Sequence, residues 1–216
     1  MKVYFVSGLA ADSRVFKNIQ LPDHCVPVYL EWIDPLKNES LKSYALRLAE
    51  GIDTSAPFAI VGLSMGGMIS AEISKKYKPA HTILISSISS SKQLPFYFKV
   101  AGKLRLHKMI PVSFVKSAAT IKHVFTTETD EDKSMLQSII KESDNKFIYW
   151  AMDAVIKWTS DHPPASYIHI HGTRDEVLPI RYTNPTHIIK KGGHLMVMNR
   201  ARELNAILGK ELGISN

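Results

Sequence analysis

The sequence predicts an α/β fold: a doubly wound, mostly parallel sheet of six strands with helices on both faces. Three observations carry this expectation. Short, nearly continuous apolar runs, many of them β-branched, recur at 3–7, 25–31, 57–62, 81–86, 166–171 and 186–190, as expected of strands covered on both sides. Helix-patterned segments alternate with them, which implies parallel strands joined by right-handed crossovers. The 216 residues, 45% hydrophobic and 22% charged, can bury one sizeable core, so a single domain spanning 1–216 is expected.

Each element has its own signal. "MKVYFVSGLAAD" is broken by Ser7, Gly8 and Asp12 before it reaches the length of a signal-peptide apolar region, and it reads as the first strand. Asp12 or Ser13 is placed to cap a helix running through Gln20. In "SLKSYALRLAEGI", Leu41, Tyr44, Ala45 and Leu48 recur at helical spacing behind Ser40 as cap. "MGGMISAEISKKY" and "LMVMNRARELNAILGKEL" supply two further helices. Between Ile88 and Asp161 the strand signal vanishes, and Thr129 and Ser143 or Asp144 stand where helix caps belong. Residues 88–161 are therefore expected to form a helical insert between the fourth and fifth strands.

Composition narrows the function classes. Cys25 is the single cysteine, so an internal disulfide and the usual zinc spacings are excluded, and a reducing, cytoplasmic setting is expected. No apolar run approaches a membrane span. The net charge is +7, and its location is specific: residues 88–127 hold seven of the 27 basic residues (Lys92, Lys99, Lys103, Arg105, Lys108, Lys116 and Lys122) and no acid. The other 20 basic residues match the 20 acidic ones. Three readings of that basic stretch are a solvated face, attraction of an anionic substrate or lipid surface, and nucleic acid; no recognised nucleic-acid fold supports the last.

The stretch "AIVGLSMGGMIS" runs from a strand into a helix with Ser64 between Gly62 and Gly66. An alcohol becomes a useful nucleophile when a sharp turn exposes it beside a base and near donors for the developing oxyanion, and a strand-turn-helix elbow supplies this. The N–H of Met65, at the helix start, points where an oxyanion would form. No GxGxxG or GxxxxGK[ST] motif accompanies the glycines to suggest nucleotide binding instead.

A serine nucleophile needs a base, and the base needs an orienting acid. Among nine histidines, His169 and His171 lie within a strand, His187 begins another, and His24, His81, His107, His123 and His162 lack a glycine-framed site. His194, in "KKGGHLMVM", follows two glycines after the last strand. In "HIHGTRDEVLP" the strand ends near Gly172, which puts Asp175 in the following loop, with Glu176 as the alternative acid. The loop after the fourth strand, "SSISSSKQ", holds no carboxylate.

With "GLSMGG", "HGTRDEVLP" and "GGH" in that order, the chain resembles the α/β-hydrolase fold family over nearly its whole length. The resemblance implies Ser64, Asp175 and His194 as a catalytic triad. "SGLAADSRVF" is similar to the family's His-Gly loop with Ser7 in the histidine position, which implies the Leu9 N–H as second oxyanion donor beside Met65, with Ala10 as fallback. The chain enters at the strand bearing that loop, so the strand order 2-1-3-4-5-6 is expected. Pro179 and Pro185 confine any helix before the last strand to a turn or two, leaving that sheet edge thinly covered.

The insert resembles the family's helical cap, and some of Phe96, Tyr97, Phe98, Phe114, Phe125, Phe147, Tyr149, Trp150 and Trp158 are expected to face the serine. The expected activity is hydrolysis of a carboxylic ester or thioester, an anionic substrate included, through an acyl-enzyme. Acyl transfer on the same fold and a ligand-binding receptor without turnover are the alternatives. No metal or organic cofactor and no nucleic-acid partner is implied. Membrane-surface contact through "FYFKVAGKLRLHKM" and a monomer or homodimer remain open at this level.

Overall fold

The computed structural model describes residues 1–105, 109, 111–117 and 129–213. His107, Lys108, Lys122, His123 and Phe125, singled out from the sequence, lie outside the described residues. Strands β1 (Lys2–Val6), β2 (Val26–Tyr29), β3 (Phe58–Leu63), β4 (His81–Ile85), β5 (Ile168–Gly172) and β6 (His187–Ile189) form one sheet in the order β2-β1-β3-β4-β5-β6. Every neighbouring pair is parallel.

Alternation along the strands divides the core in two. Val3 and Phe5 of β1 and Val61 of β3 point to the face covered by Val15, Phe16 and the last helices, whereas Tyr4, Val6 and Ile60 point to the other face. There they meet α1 (Leu41–Leu48) and α2 (Met65–Tyr77). The Ser40 side chain accepts from the Ser43 N–H, and Leu41, Tyr44, Ala45 and Leu48 are all buried, as their spacing anticipates.

Four described helices lie between β4 and β5: α3 (Phe96–Lys103), α4 (Val112–Val115), α5 (Asp130–Glu142) and α6 (Asn145–Ile156). Thr129 caps α5 and Asp144, rather than Ser143, caps α6. Polar contacts fix α5 and α6 to the sheet domain. Arg14 bridges Asp12 and Glu142, each at 2.6 Å, and Lys17 reaches Glu131 and Asp132. The Trp150 Nε1–H donates to the Glu39 carbonyl and the Trp158 Nε1–H to the buried Glu72 carboxylate. At Gly102 a Cβ would overlap the Ile156 side chain, so this glycine lets α3 lie against α6.

Two expected helices differ. Only Ser13–Phe16 forms a single 3-10 turn behind Asp12, because residues 18–20 are engaged elsewhere. Asn18 Nδ2 donates to the Met198 carbonyl, and the Gln20 N–H donates to Asn205 Oδ1. The last helix is divided at Arg200 (φ −127°, ψ 28°) into α7 (Met196–Asn199) and α8 (Ala201–Gly213). A continuous helix would give the Met198 carbonyl to the Arg202 N–H, and Asn18 takes it instead. Before β6 only the 3-10 turn Ile180–Tyr182 follows Pro179. Among the described residues no helix is long and apolar enough to cross a membrane.

Candidate active site

All parallel strands point their C-terminal ends to one edge, where open α/β sheets bind ligands. Ser64 follows β3 there, Asp175 follows β5 and His194 follows β6. Ser64 has φ 54° and ψ −120°, a conformation that costs a non-glycine residue about 1–3 kcal/mol. It is tolerated because α2 starts at once and packs close to the sheet. A Cβ at Gly62 would overlap the Gly66 backbone, and one at Gly66 would overlap the Val6 and Ser7 carbonyls. The Ser64 N–H donates to the Ile85 carbonyl, and the Ser87 hydroxyl donates to the Ser64 carbonyl at 2.6 Å. The elbow is thus held from both sides while Oγ stays free to face outward.

His194 Nε2 lies 2.9 Å from Ser64 Oγ, and His194 Nδ1 lies 2.9 Å from Asp175 Oδ2. The loop that carries His194 is tied to the turn after β5: the Arg174 N–H donates to the Gly192 carbonyl and the Lys191 N–H to Thr173 Oγ1. Asp175 Oδ1 accepts from the N–H groups of Val177 and Leu178. Burial pushes the Asp175 pKa up, but the His194 charge, hydrogen bonds from His171 and His194 and the Leu178 amide outweigh it and hold the carboxyl below its usual range. Glu176 is exposed and takes no part in this chain of contacts.

Leu9 and Met65 both line the cavity beside Ser64. Met65 is the first residue of α2, so its N–H has no acceptor within the helix. Ser7, in place of a histidine, donates its hydroxyl to the Ala11 carbonyl, which also accepts from Trp32 Nε1–H. Those two bonds shape the loop that presents Leu9, with Ala10 at φ 56°.

The cavity has a volume of about 190 Å³ and is lined by α2, α5, α6 and the strand ends: Met68, Leu136, Ile140, Met152 and Val155 are representative. Among the described residues that line it, none is Asp, Glu, Lys or Arg. Phe98, from α3, is the only lining aromatic among them. Phe147 and Trp158 are buried in the core, whereas Phe96, Tyr97, Phe114 and Tyr149 are exposed. Of the aromatics named from the sequence, Phe98 thus faces the cavity, and the rest of the described wall is mostly aliphatic.

Sequence reading set His171 aside as a strand residue, yet its ring touches the acid: Nε2 is 3.3 Å from Asp175 Oδ2. The spacing of four between them across a strand end was the available signal.

The fold has many counterparts among solved structures. The chain superposes on a hydrolase from Pseudomonas aeruginosa PA01 with a TM-score of 0.75 and 12% identity, over 99% of this chain and 90% of that one. An esterase from Exiguobacterium antarcticum gives 0.72 and 12%, over 99% and 92%. The chain has the α/β-hydrolase fold. A thermophilic esterase from Thermogutta terrifontis shares this fold at a TM-score of 0.68 and 16% identity, over 98% and 89%. No protein-family model matches the chain, and no curated protein sequence matches it.

Proposed function

We propose that this α/β-hydrolase-fold protein hydrolyses a carboxylic ester or thioester through an acyl-enzyme. The supporting observation is the continuous contact from Ser64 Oγ through His194 to Asp175 at the mouth of an apolar cavity. Ser64 attacks the carbonyl carbon while His194 Nε2 takes its proton; the N–H groups of Met65 and Leu9 stabilise the oxyanion. His194 then protonates the departing alcohol or thiol. Water, deprotonated by the same imidazole, attacks the acyl carbonyl and restores Ser64. Asp175 fixes the tautomer and offsets the imidazolium charge. The helices of 88–161 act as a cap that shields the acyl group from solvent.

The described lining, which carries no charged side chain, favours an uncharged, apolar acyl group, because burying a charge there without a partner is strongly unfavourable. The cavity of about 190 Å³ is bounded by the elbow and by side chains of α2, α5 and α6. A short to medium acyl chain fits.

The test is labelling with a fluorophosphonate probe at pH 8 together with turnover of esters of graded acyl length. Labelling of the wild type and its loss in Ser64→Ala support the reading. A folded wild type that is neither labelled nor active, yet is stabilised by ligands, is a receptor on the same fold.

A further inference from the structure

Behind the acid lies a pair of imidazoles that the proposed reaction does not itself require. His169 and His171 both belong to β5, two residues apart, and so project from the same side of the strand. Both are 0% exposed. His171 Nε2 lies 2.7 Å from the Leu178 carbonyl oxygen and 3.3 Å from Asp175 Oδ2. A carbonyl oxygen only accepts, so Nε2 of His171 carries a hydrogen, shared between these two oxygens. His171 Nδ1 faces His169 Nε2 at 3.1 Å, the two rings standing at 87°. With both rings neutral, His169 donates from Nε2 and thereby holds His171 in the tautomer that presents its own N–H to Asp175.

We infer that His171, backed by His169, is a positioning residue for the acid: its Nε2–H is a second donor on the same Asp175 oxygen that receives His194 Nδ1–H. The inference rests on the proposed roles of Asp175 and His194. Two consequences follow from the geometry. The contact to the Leu178 carbonyl closes the Asp175–Leu178 turn, whose amides hold Oδ1, so both carboxylate oxygens are fixed. A second donor on Oδ2 also makes the carboxylate a poorer acceptor for His194, so the imidazolium formed during the reaction is held less tightly. Tyr97 of α3 interacts electrostatically with Asp175 and, in turn, with Arg181 and Tyr182 after β5, and the Tyr167 ring lies 6.4 Å from that of His169.

The experiment compares the pH dependence of kcat/KM in His171→Asn and His171→Gln. The asparagine amide is too short to reach Asp175, and the glutamine amide can replace Nε2–H. His171→Asn should shift the acid limb to higher pH by about 0.5 to 1 unit and lower kcat by about tenfold, while His171→Gln returns the wild-type limb. Should His171→Asn fail to fold by circular dichroism, His169→Leu, which removes the donor facing His171 Nδ1 and so frees the His171 ring, should shift the limb the same way by less. An unmoved limb in the folded variants, accompanied only by lower thermal stability, overturns the inference. Nitrogen-15 NMR titration of the His194 ring gives an independent readout. If the wild type proves inactive but the His194 titration moves upward in His171→Asn, the positioning role stands and the hydrolase reading falls. If activity is present and neither readout moves, only the positioning role falls.

Discussion

Asp175 and Glu176 are adjacent in sequence and face opposite ways: Asp175 is 4% exposed with both oxygens hydrogen-bonded, while Glu176 is exposed to solvent. Asp175→Asn should therefore preserve the fold and lower kcat by about 10³ to 10⁴, since an amide cannot stabilise imidazolium and favours the wrong tautomer. Glu176→Gln should stay within about twofold of wild type, as expected of a surface substitution. Steady-state kinetics on one ester checks both, and the reverse pattern would transfer the acid to Glu176.

His169 sets a pH window for stability. Burial, followed by the neighbouring His171, lowers its pKa to about 3. An unfolded chain takes up the proton below about 6.5 and the native chain does not until about pH 3. Unfolding therefore binds a proton between those values, and stability should fall as pH drops through them by about 1.4 kcal/mol per pH unit. The depressed Asp175 carboxyl contributes stability present above its unfolded value near 3.9, lost as pH falls further. Urea midpoints from pH 7 to 4.5 should decline more steeply in wild type than in His169→Gln; equal slopes would show that His169 takes up its proton in the native state.

The charges of α3 lie outside the cavity. Lys99 and Lys103 are exposed on one side of that helix, and Arg105 follows it at φ 55°, also exposed. Their field reaches only about 8 to 10 Å at physiological salt. Replacing all three by glutamine should lower kcat/KM for an anionic ester at low salt, leave a neutral ester nearly unchanged and flatten the salt dependence of the former. Parallel losses on both esters would mean that cap packing had been damaged instead.

The volume of the cavity sets chain length. On the proposed reaction, wild type should prefer short to medium linear acyl chains over long ones. Met152 lines the cavity from α6, and Met152→Trp should move the optimum toward shorter chains by two or so carbons while leaving fluorophosphonate labelling of Ser64 intact. An unmoved optimum across a series of p-nitrophenyl esters would mean that the acyl chain lies elsewhere.

Much of this was legible because it depends on local chemistry. Strand positions follow from apolar runs, and the caps at Ser40, Thr129 and Asp144 follow from short side chains ahead of helical patterns. The elbow around Ser64 is legible because glycines occur where backbone meets backbone. What escaped depends on partners distant in sequence. The end of the first turn and the break at Arg200 are set by Asn18 and Asn205 reaching across to each other's segments, and no window of sequence contains both. The contact of His171 with Asp175 required knowing that the strand ends in a turn that doubles back under its own last histidine. Which aromatic faces the cavity escaped for a related reason: aromatic composition marks what a segment can bury, and Phe147, Trp150 and Trp158 pack against the core while Phe98 reaches the cavity.

The two outer strands bear on solubility during folding. In β2 the N–H groups of Val26 and Leu30 donate inward to Met1 and Phe5, so residues 27 and 29 face the open side, and Pro27 has no hydrogen to offer there. At the opposite margin β6 is three residues long, with Pro185 just before it and Lys190 and Lys191 just after. Neither margin presents a long ladder of free donors and acceptors on which another chain's strand could grow. These interruptions act as gatekeepers against edge-to-edge aggregation of a sheet whose inner strands are almost wholly buried.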